Sequence, residues 1–220
     1  MHLGEATDRR GSRLVHDQKP IVYIVDDDES IRVSLEWLIR RAGWQPIAFA
    51  SAAEFLAYRR CPKPSCLLLD ITLPDLSGLD VQELLAGQGE VPIIFITGYG
   101  DVPTTVRAMK AGALEFLVKP FQDDVLLSAI PRAFEISASA LRDQSQLEAI
   151  HSRYAALTPR ERDVMNGVVS GRLSKQLAHD LGISENTIKV HRFNMMRKMH
   201  AASVMDLVNM ASKLRIVPVQ

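Results

Sequence analysis

Carboxylates stand at the ends of two short apolar runs of the sequence. Asp26 and Asp27 come directly after the run over 20–25, and Asp70 ends the run over 66–70. Runs of this length, bounded by Pro and Gly, are typical of strands that are buried on both faces. Because ligands of open parallel sheets bind at the carboxyl ends of the strands, we expect these acids at a place where chemistry occurs.

Two further polar side chains stand at the ends of later apolar runs. Thr97 follows the run over 91–96, and Lys119 follows the run over 114–118. A hydroxyl and an ammonium are groups that stabilise negative charge on a phosphoryl oxygen. Each residue alone has an ordinary interpretation as a loop, turn or surface residue. Their recurrence at four predicted strand ends favours one shared site.

Three carboxylates at one edge of a sheet repel one another at neutral pH unless one is protonated or a hard cation binds them. Mg²⁺ suits such a site, because it accepts a few carboxylate oxygens, retains water and leaves positions for a phosphate. Once its charge is offset, one carboxylate can attack phosphorus and form an acyl phosphate. The residues therefore predict a magnesium-dependent site for phosphoryl chemistry.

These residues need a parallel sheet to bring them together. Helical patterns that begin near residues 29, 51, 77, 101 and 123 alternate with five predicted strands, 20–25, 44–50, 66–70, 91–96 and 114–118. Alternation of this kind is typical of parallel βα units wound on both faces of one sheet. We therefore predict an α/β domain over 20–135, a (βα)5 doubly wound parallel sheet.

The last of these helices has no clear end in the sequence. Apolar residues recur at helical spacing from Leu126 to Ile150, across Pro131. Proline inside a helix removes a hydrogen bond and clashes with the preceding turn, so we expect a kink or break there. Residues 136–156 are predicted to form a helical linker. A flexible polar tether is the alternative, since residues 137–146 are only weakly apolar.

Residues 157–220 have the pattern of a separate all-α domain. The stretch 158–161 begins a helix with Thr at the N-cap, Pro at N1 and Glu at N3, and Gly171 and Gly182 are placed to end two helices. Two more helices are predicted after Gly182. Short helices joined by tight turns that contain glycine are typical of a helix-turn-helix fold, here with four helices.

The net charge of zero conceals an acidic part and a basic part. Residues 20–140 carry ten basic and sixteen acidic side chains, whereas residues 158–220 carry ten basic and five acidic ones. This difference indicates two domains with different partners, and the charge of the second suits contact with nucleic acid.

Other features narrow the class of protein. The chain contains no stretch of about 18 apolar residues, so no membrane span is expected. Residues 1–19 lack the apolar core of a secretory signal and are predicted to be a disordered lead-in. The two cysteines, Cys61 and Cys66, form neither a disulfide framework nor a zinc-binding pattern, and the reducing cytoplasm is the expected compartment.

The predicted helix over 185–200 presents a cationic face opposite a face formed by Ile188, Met195 and Met199. In a helix-turn-helix the early residues of such a helix contact base edges in the major groove. Lys189 and Val190 are therefore predicted to contact a guanine and a thymine methyl. The predicted phosphate contacts are Thr187, Arg192, Arg197, Lys198 and, on the preceding helix, Lys175. A basic helix that contacts only solvent is the alternative.

Phe193 lies on the same predicted face of this helix. It is included among the candidate DNA contacts. An aromatic side chain at this position could instead pack on a neighbouring helix or on a dimer partner.

Residues 20–135 resemble a response-regulator receiver domain. The matching residues are the segment 24–28, Leu69-Asp70 with Pro74 and Gly78, Thr97-Gly98 and Lys119-Pro120. Segments 97–103 and 108–113 are similar to FixJ and StyR-like regulators. The resemblance implies that Asp70 accepts a phosphoryl group from the phosphohistidine of a sensor histidine kinase.

The same resemblance assigns roles around Asp70. It implies a Mg²⁺ site formed by Asp26, Asp27, Asp70 and the backbone carbonyl of Thr72. Thr97 and Lys119 would contact the phosphoryl group, and Phe116 would be the aromatic residue that moves inward when Thr97 moves. It also implies a cis peptide bond between Lys119 and Pro120.

Residues 158–215 resemble the LuxR-type helix-turn-helix of the NarL/FixJ regulators. The matching residues are segments 157–162, 181–184 and 187–192, with Gly171, Leu177 and Ala178. The sequence departs from the family at Ser174, where Asn is usual, and at Phe193. Together the two resemblances imply a cytoplasmic transcription factor that phosphorylation causes to dimerise and to bind double-stranded promoter DNA, with RNA polymerase as a further partner.

Two other functions would account for part of the sequence. An aspartyl-phosphate phosphohydrolase would explain the acidic site, but that class places its nucleophile in an Asp-x-Asp after the first strand and carries a cap insertion. We expect neither in this sequence, and the basic domain would have no role. A receiver that acts only through protein contacts is disfavoured by the helix-turn-helix. We therefore predict a regulator rather than an enzyme.

Overall fold

The computed structural model describes residues 19–87, 91–98 and 100–216. The chain divides into two compact units, Met1–Leu141 and Arg142–Gln220. Nearly all of the predicted disordered lead-in, residues 1–18, lies outside the described residues. No helix within the described ranges is long and apolar enough to cross a membrane.

The first unit contains a parallel sheet of five strands. Their spatial order is β2-β1-β3-β4-β5, and every neighbouring pair is parallel. The strands are β1 (Ile21–Val25), β2 (Gln45–Phe49), β3 (Ser65–Leu69), β4 (Ile93–Thr97) and β5 (Glu115–Val118). All five lie within the predicted ranges or within one residue of them, because short apolar runs bounded by turn residues are a local signal.

Helices cover both faces of this sheet, which confirms the predicted doubly wound architecture. They are α1 (Glu29–Arg41), α2 (Ala52–Ala57), α3 (Gly78–Leu85), α4 (Val102–Lys110) and α5 (Asp123–Ala155). Successive residues of β1 point to opposite faces, so Tyr23 packs in the core beneath α2, α3 and α4, while Ile24 packs beneath α1 and α5. Each large side chain buried in these two cores contributes about 1.5–3 kcal/mol.

Helix α5 corrects the expected break at Pro131. It is continuous from Asp123 to Ala155 with Pro131 inside it. Ile130 and Ala133, on either side of the proline, are fully buried in the core that α5 shares with α1. Apolar burial on both flanking turns offsets the hydrogen bond that proline removes. Residues 136–155 are accordingly helical.

The described part of the second unit contains four short helices after the end of α5. They are α6 (Pro159–Val169), α7 (Ser174–Leu181), α8 (Glu185–Met199) and α9 (Val204–Lys213). Gly182 has φ of +66° and ends α7, as its position predicted. The three buried residues predicted for α8, Ile188, Met195 and Met199, are fully inaccessible and form the centre of this unit's core.

Candidate functional site

The predicted acids meet at the carboxyl edge of the sheet. β1 and β3 are neighbours, with Val25 paired to Leu69, so the residues that follow them, Asp26 and Asp70, lie side by side. Both carboxylates are buried, with 2% and 7% of each residue exposed, whereas Asp27 is exposed. Ligand oxygens of all three lie within 4.8 Å of one another.

Lys119 follows β5, an outer strand of the sheet, and its side chain reaches this cluster. Its Nζ donates to Oδ2 of Asp26 at 2.6 Å and to Oδ2 of Asp70 at 2.7 Å. The backbone N–H of Lys119 donates to the carbonyl of Thr97 at 2.8 Å, which ties the end of β5 to the end of β4. The peptide bond between Lys119 and Pro120 is cis, as the resemblance implies.

Burial and the ion pairs act against each other at Asp26 and Lys119. Burial raises the pKa of Asp26, and the hydrogen bonds from Lys119 and from the N–H of Asp28 offset this only in part. Burial alone would lower the pKa of Lys119, but the hydrogen bonds to Asp26 and Asp70 outweigh it and raise that pKa. The ammonium is therefore charged at neutral pH and provides the cation that two buried carboxylates require.

Backbone N–H groups hold the second oxygen of each buried carboxylate. Oδ1 of Asp26 accepts a hydrogen bond from the N–H of Asp28 at 3.0 Å, and Oδ1 of Asp70 accepts one from the N–H of Thr72 at 3.0 Å. Asp28 itself caps α1 by accepting from the N–H of Ser30 at 2.8 Å. The loops after β1 and β3 thus fix the direction of both carboxylates.

The loop after β3 is held close against the strand end. A Cβ at Gly78 would overlap the carbonyl oxygen of Asp70 and lie 2.9 Å from Cα of Ile71, so only glycine fits there. The carboxylate of Asp75 accepts hydrogen bonds from the N–H groups of Ala52 and Ala53 at the start of α2. Pro74 and Gly78 mark this loop in the sequence, but the close approach at Gly78 and the hydrogen bonds of Asp75 could not be derived from it.

The donor set fits a hard cation. Three carboxylates on adjacent loops supply only oxygen ligands, which Mg²⁺ prefers, and the exposed Asp27 leaves one side of the cluster open to solvent. Thr72, whose carbonyl is the fourth expected ligand, is exposed in the loop directly after Asp70. The acidic pocket therefore has the composition that a magnesium site requires.

Thr97 and Phe116 lie on the two strands next to the acidic cluster. Thr97 is fully buried at the end of β4, and the register pairs it with Val118 of β5. Phe116 is half-buried, and its ring centroid lies 6.2 Å from that of Phe95 on β4. The two residues thus lie on β4 and β5, the two strands beyond β3 in the order of the sheet, and α4 packs on β5.

The predicted DNA-contacting residues gather on α8 and the start of α7. Lys189, Val190, Phe193 and Arg197 are exposed, Thr187 and Arg192 are half-buried, and Lys175 is exposed on α7. Val190 and Phe193 are 53% and 67% exposed. Phe193 therefore does not pack on a neighbouring helix of its own unit.

Lys198 has a partner that the sequence did not reveal. Its Nζ donates to Oε2 of Glu161 at 2.7 Å, and the same oxygen accepts the N–H of Thr158 at 2.8 Å. Glu161 is only 4% exposed. The capping box at the start of α6 was recognisable from the sequence, but the ion pair to α8, 37 residues away, depends on tertiary packing.

This ion pair predicts a dependence of stability on pH in the second unit. Burial raises the pKa of Glu161, but the hydrogen bonds with Lys198 and Thr158 outweigh it, so the pKa in the folded state is lowered. A lowered carboxyl pKa stabilises the fold above the unfolded value of about 4.3 and loses this contribution as pH falls through the folded value. We expect Glu161→Gln to destabilise α6 and α8 by about 2 kcal/mol at pH 7, with a smaller loss in acid.

Amide hydrogen exchange of α6 and α8 in the full chain measures this effect. Glu185→Gln, which removes an exposed acid from the first turn of α8, is the matched control. Equal protection of the Glu161→Gln variant and the unaltered chain at pH 7 would contradict the prediction.

Two family models match the chain. Residues 22–131 match the response regulator receiver domain, and residues 155–211 match the bacterial regulatory proteins of the luxR family. The first match contains the acidic cluster and Lys119, and the second contains α6, α7 and α8. The two matched segments therefore coincide with the two candidate sites.

Curated relatives and a solved structure share both segments. The response regulator protein TmoT of Ectopseudomonas mendocina is 42% identical over 216 residues, which are 98% of this chain and 98% of TmoT. Transcriptional regulatory protein FixJ of Rhizobium meliloti is 43% identical over 86% of this chain and 94% of its own. The structure of response regulator StyR, 43% identical, covers 89% of this chain and 99% of its own with a TM-score of 0.76. The chain is a two-component response regulator with a receiver domain and a LuxR-type helix-turn-helix DNA-binding domain.

Proposed function

We propose that Asp70 accepts a phosphoryl group from a sensor histidine kinase, and that the phosphorylated chain dimerises and binds promoter DNA to regulate transcription. One observation carries this proposal. The buried carboxylate of Asp70 lies 2.7 Å from the ammonium of Lys119, with two further acids beside it, in a chain that also exposes a basic helix. Both the kinase and chromosomal DNA would be met in the cytoplasm.

The arrangement suits transfer to a carboxylate. Asp26, Asp27, Asp70 and the carbonyl of Thr72 would hold Mg²⁺, which when bound supplies positive charge against the acids and the phosphoryl oxygens. An oxygen of Asp70 attacks phosphorus as the N–P bond of the phosphohistidine breaks, and the electron pair of that bond remains on the imidazole nitrogen. Lys119 and the hydroxyl of Thr97 then donate hydrogen bonds to phosphoryl oxygens.

The switch proceeds from Thr97 to the surface of α4 and β5. Movement of Thr97 towards the phosphoryl group vacates space that Phe116 enters, and the surface beside it changes shape. That surface already exposes apolar side chains, Val102, Val106 and Met109 on α4 and Val118 on β5. A shift from 1:99 to 99:1 requires about 5.5 kcal/mol, so burial of this surface in a dimer supplies part of the energy.

The basic helix α8 provides the DNA contacts in this proposal. Lys189 and Val190 contact base edges, and phosphates are bound by Thr187, Arg192, Arg197 and Lys175. Lys198 is paired with Glu161, so we assign it to the stability of the domain instead of to a phosphate. Phe193, exposed on the same helix, contacts DNA or the second copy of the chain. RNA polymerase is the proposed partner for the DNA-bound dimer.

The acidic pocket is not well suited to a phosphohydrolase. Contrary to the expectation from the sequence, an Asp-x-Asp does follow β1, formed by Asp26 and Asp28, and in such an enzyme the second acid would protonate the leaving group. Asp28 stands at that position, but hydrogen bonds from the hydroxyl and the N–H of Ser30 lower its pKa and use its carboxylate to cap α1. We therefore propose that the chain is a regulator and not an enzyme.

Selection of genomic DNA fragments tests this function. Protein treated with acetyl phosphate and Mg²⁺ is expected to enrich particular fragments, and untreated protein to enrich them weakly. Lys189→Ala is expected to weaken binding to a selected fragment by about 1–3 kcal/mol in a gel shift at fixed salt. Lys213→Ala makes the same change of charge at an exposed position of α9 and is the control. Equal binding by the Lys189→Ala variant and the unaltered chain would contradict the assignment of α8.

A further inference from the structure

A guanidinium from α1 holds the loop that carries two of the three acids. Nη1 of Arg32 donates to the backbone carbonyl oxygen of Asp26 at 2.8 Å. Arg32 is half-buried on the first turns of α1. Because this carbonyl belongs to the peptide bond that joins Asp26 to Asp27, the hydrogen bond restrains the direction in which the chain leaves β1.

The remaining polar groups of Asp26 are engaged as well. Its N–H donates to the carbonyl of Phe49 at 3.4 Å, Oδ1 accepts from the N–H of Asp28, and Oδ2 accepts from Lys119. Only Lys119 and Arg32 make these contacts through side chains. Among the described residues Arg32 has no carboxylate within ion-pair distance, so its contact is directed at the main chain.

We infer that Arg32 is a positioning residue for the metal site: by holding the carbonyl of Asp26 it keeps the carboxylates of Asp26 and Asp27 in range of a shared cation. The inference rests on the proposed function in one respect, that these acids bind Mg²⁺. Groups that orient metal ligands without touching the metal typically alter affinity 10- to 100-fold when removed.

A positioning role and a purely electrostatic role of Arg32 predict opposite changes in Mg²⁺ affinity when Arg32 is removed. A guanidinium near the metal site repels a divalent cation, so its removal would strengthen Mg²⁺ binding if charge were its only effect. If Arg32 orients the loop, its removal weakens Mg²⁺ binding despite the lost repulsion. The sign of the change therefore separates the two roles.

Calorimetric titration of the full chain with Mg²⁺ tests the inference. We expect Arg32→Met to raise the Kd for Mg²⁺ roughly tenfold. Arg32→Lys keeps the charge but not the reach of the planar guanidinium, and a rise of roughly threefold is expected. Arg40→Met removes the same charge from an exposed position of α1 and is expected to leave the Kd unchanged.

A second measurement separates positioning from general damage. At saturating Mg²⁺, phosphorylation of the Arg32→Met variant by acetyl phosphate should recover to within about twofold of the unaltered chain, since Asp70 and Lys119 are untouched. An unchanged or lower Kd in Arg32→Met overturns the inference. If that variant does not fold, an unchanged Kd in Arg32→Lys overturns it. Absence of Mg²⁺ binding in the unaltered chain would contradict the proposed function instead.

Discussion

Asp70→Asn is expected to abolish phosphorylation and with it the effect of phosphoryl donors on DNA binding. The amide retains the shape of the side chain but is not a nucleophile, so incorporation from acetyl phosphate should fall by about 10⁴-fold or more. Intact mass spectrometry measures incorporation, and loss of the added mass in hydroxylamine identifies an acyl phosphate. In a gel shift the variant should bind DNA equally with and without the donor.

A matched control for this result is available on α3. Asp80→Asn makes the same change at an exposed acid in the first turn of that helix, and it should leave incorporation unchanged. The proposal fails if the Asp70→Asn variant still dimerises and binds DNA more tightly after treatment with acetyl phosphate. It also fails if Asp80→Asn reduces incorporation as strongly as Asp70→Asn.

Lys119→Met is expected to destabilise the first unit when metal is absent. The ammonium is the shared hydrogen-bond donor of two buried carboxylates, at 2.6 Å from Asp26 and 2.7 Å from Asp70, and Met fills similar space without charge. Removing one partner of a buried pair costs about 3–5 kcal/mol, and we expect about 3 because Lys119 is partly exposed. Urea unfolding followed by the fluorescence of Trp37 and Trp44, both in this unit, measures the loss.

The same variant should respond to pH and to Mg²⁺. Without the ammonium, a buried carboxylate has a folded pKa above its unfolded value, so the folded state binds more protons and regains stability as pH falls. Added Mg²⁺ should also reduce the deficit in unfolding free energy of the variant, because it replaces the missing positive charge. Lys110→Met, an exposed lysine of α4, is the control. A deficit that stays the same at pH 5 and pH 7, with or without Mg²⁺, would show that charge at the pocket is not its cause.

The sequence was sufficient to predict the five strands and the members of the acidic cluster. Each strand is a short apolar run, a signal that depends only on neighbouring residues, and the acids stand at the ends of those runs. The rule that parallel strands present their carboxyl ends at one edge then predicts that Asp26, Asp70 and Lys119 meet. The helical period likewise predicts the buried face of α8, with Ile188 and Met195 inaccessible.

The tertiary structure decided the contacts between residues far apart in the chain. The strand order places β1 beside β3 and so brings Asp26 next to Asp70, while Lys119 reaches both across 93 and 49 residues. Glu161 pairs with Lys198 because α6 packs on α8.

Two further features follow from packing rather than from local pattern. Helix α5 continues through Pro131 because the turns on either side of the proline are buried in the core. The contact of Arg32 with the carbonyl of Asp26 spans only six residues, but no sequence pattern marks it, because it depends on the direction in which α1 leaves the loop that carries the acids. The pattern of residues along the chain predicts burial and backbone preference. Contacts between elements depend instead on which elements become neighbours when the cores form.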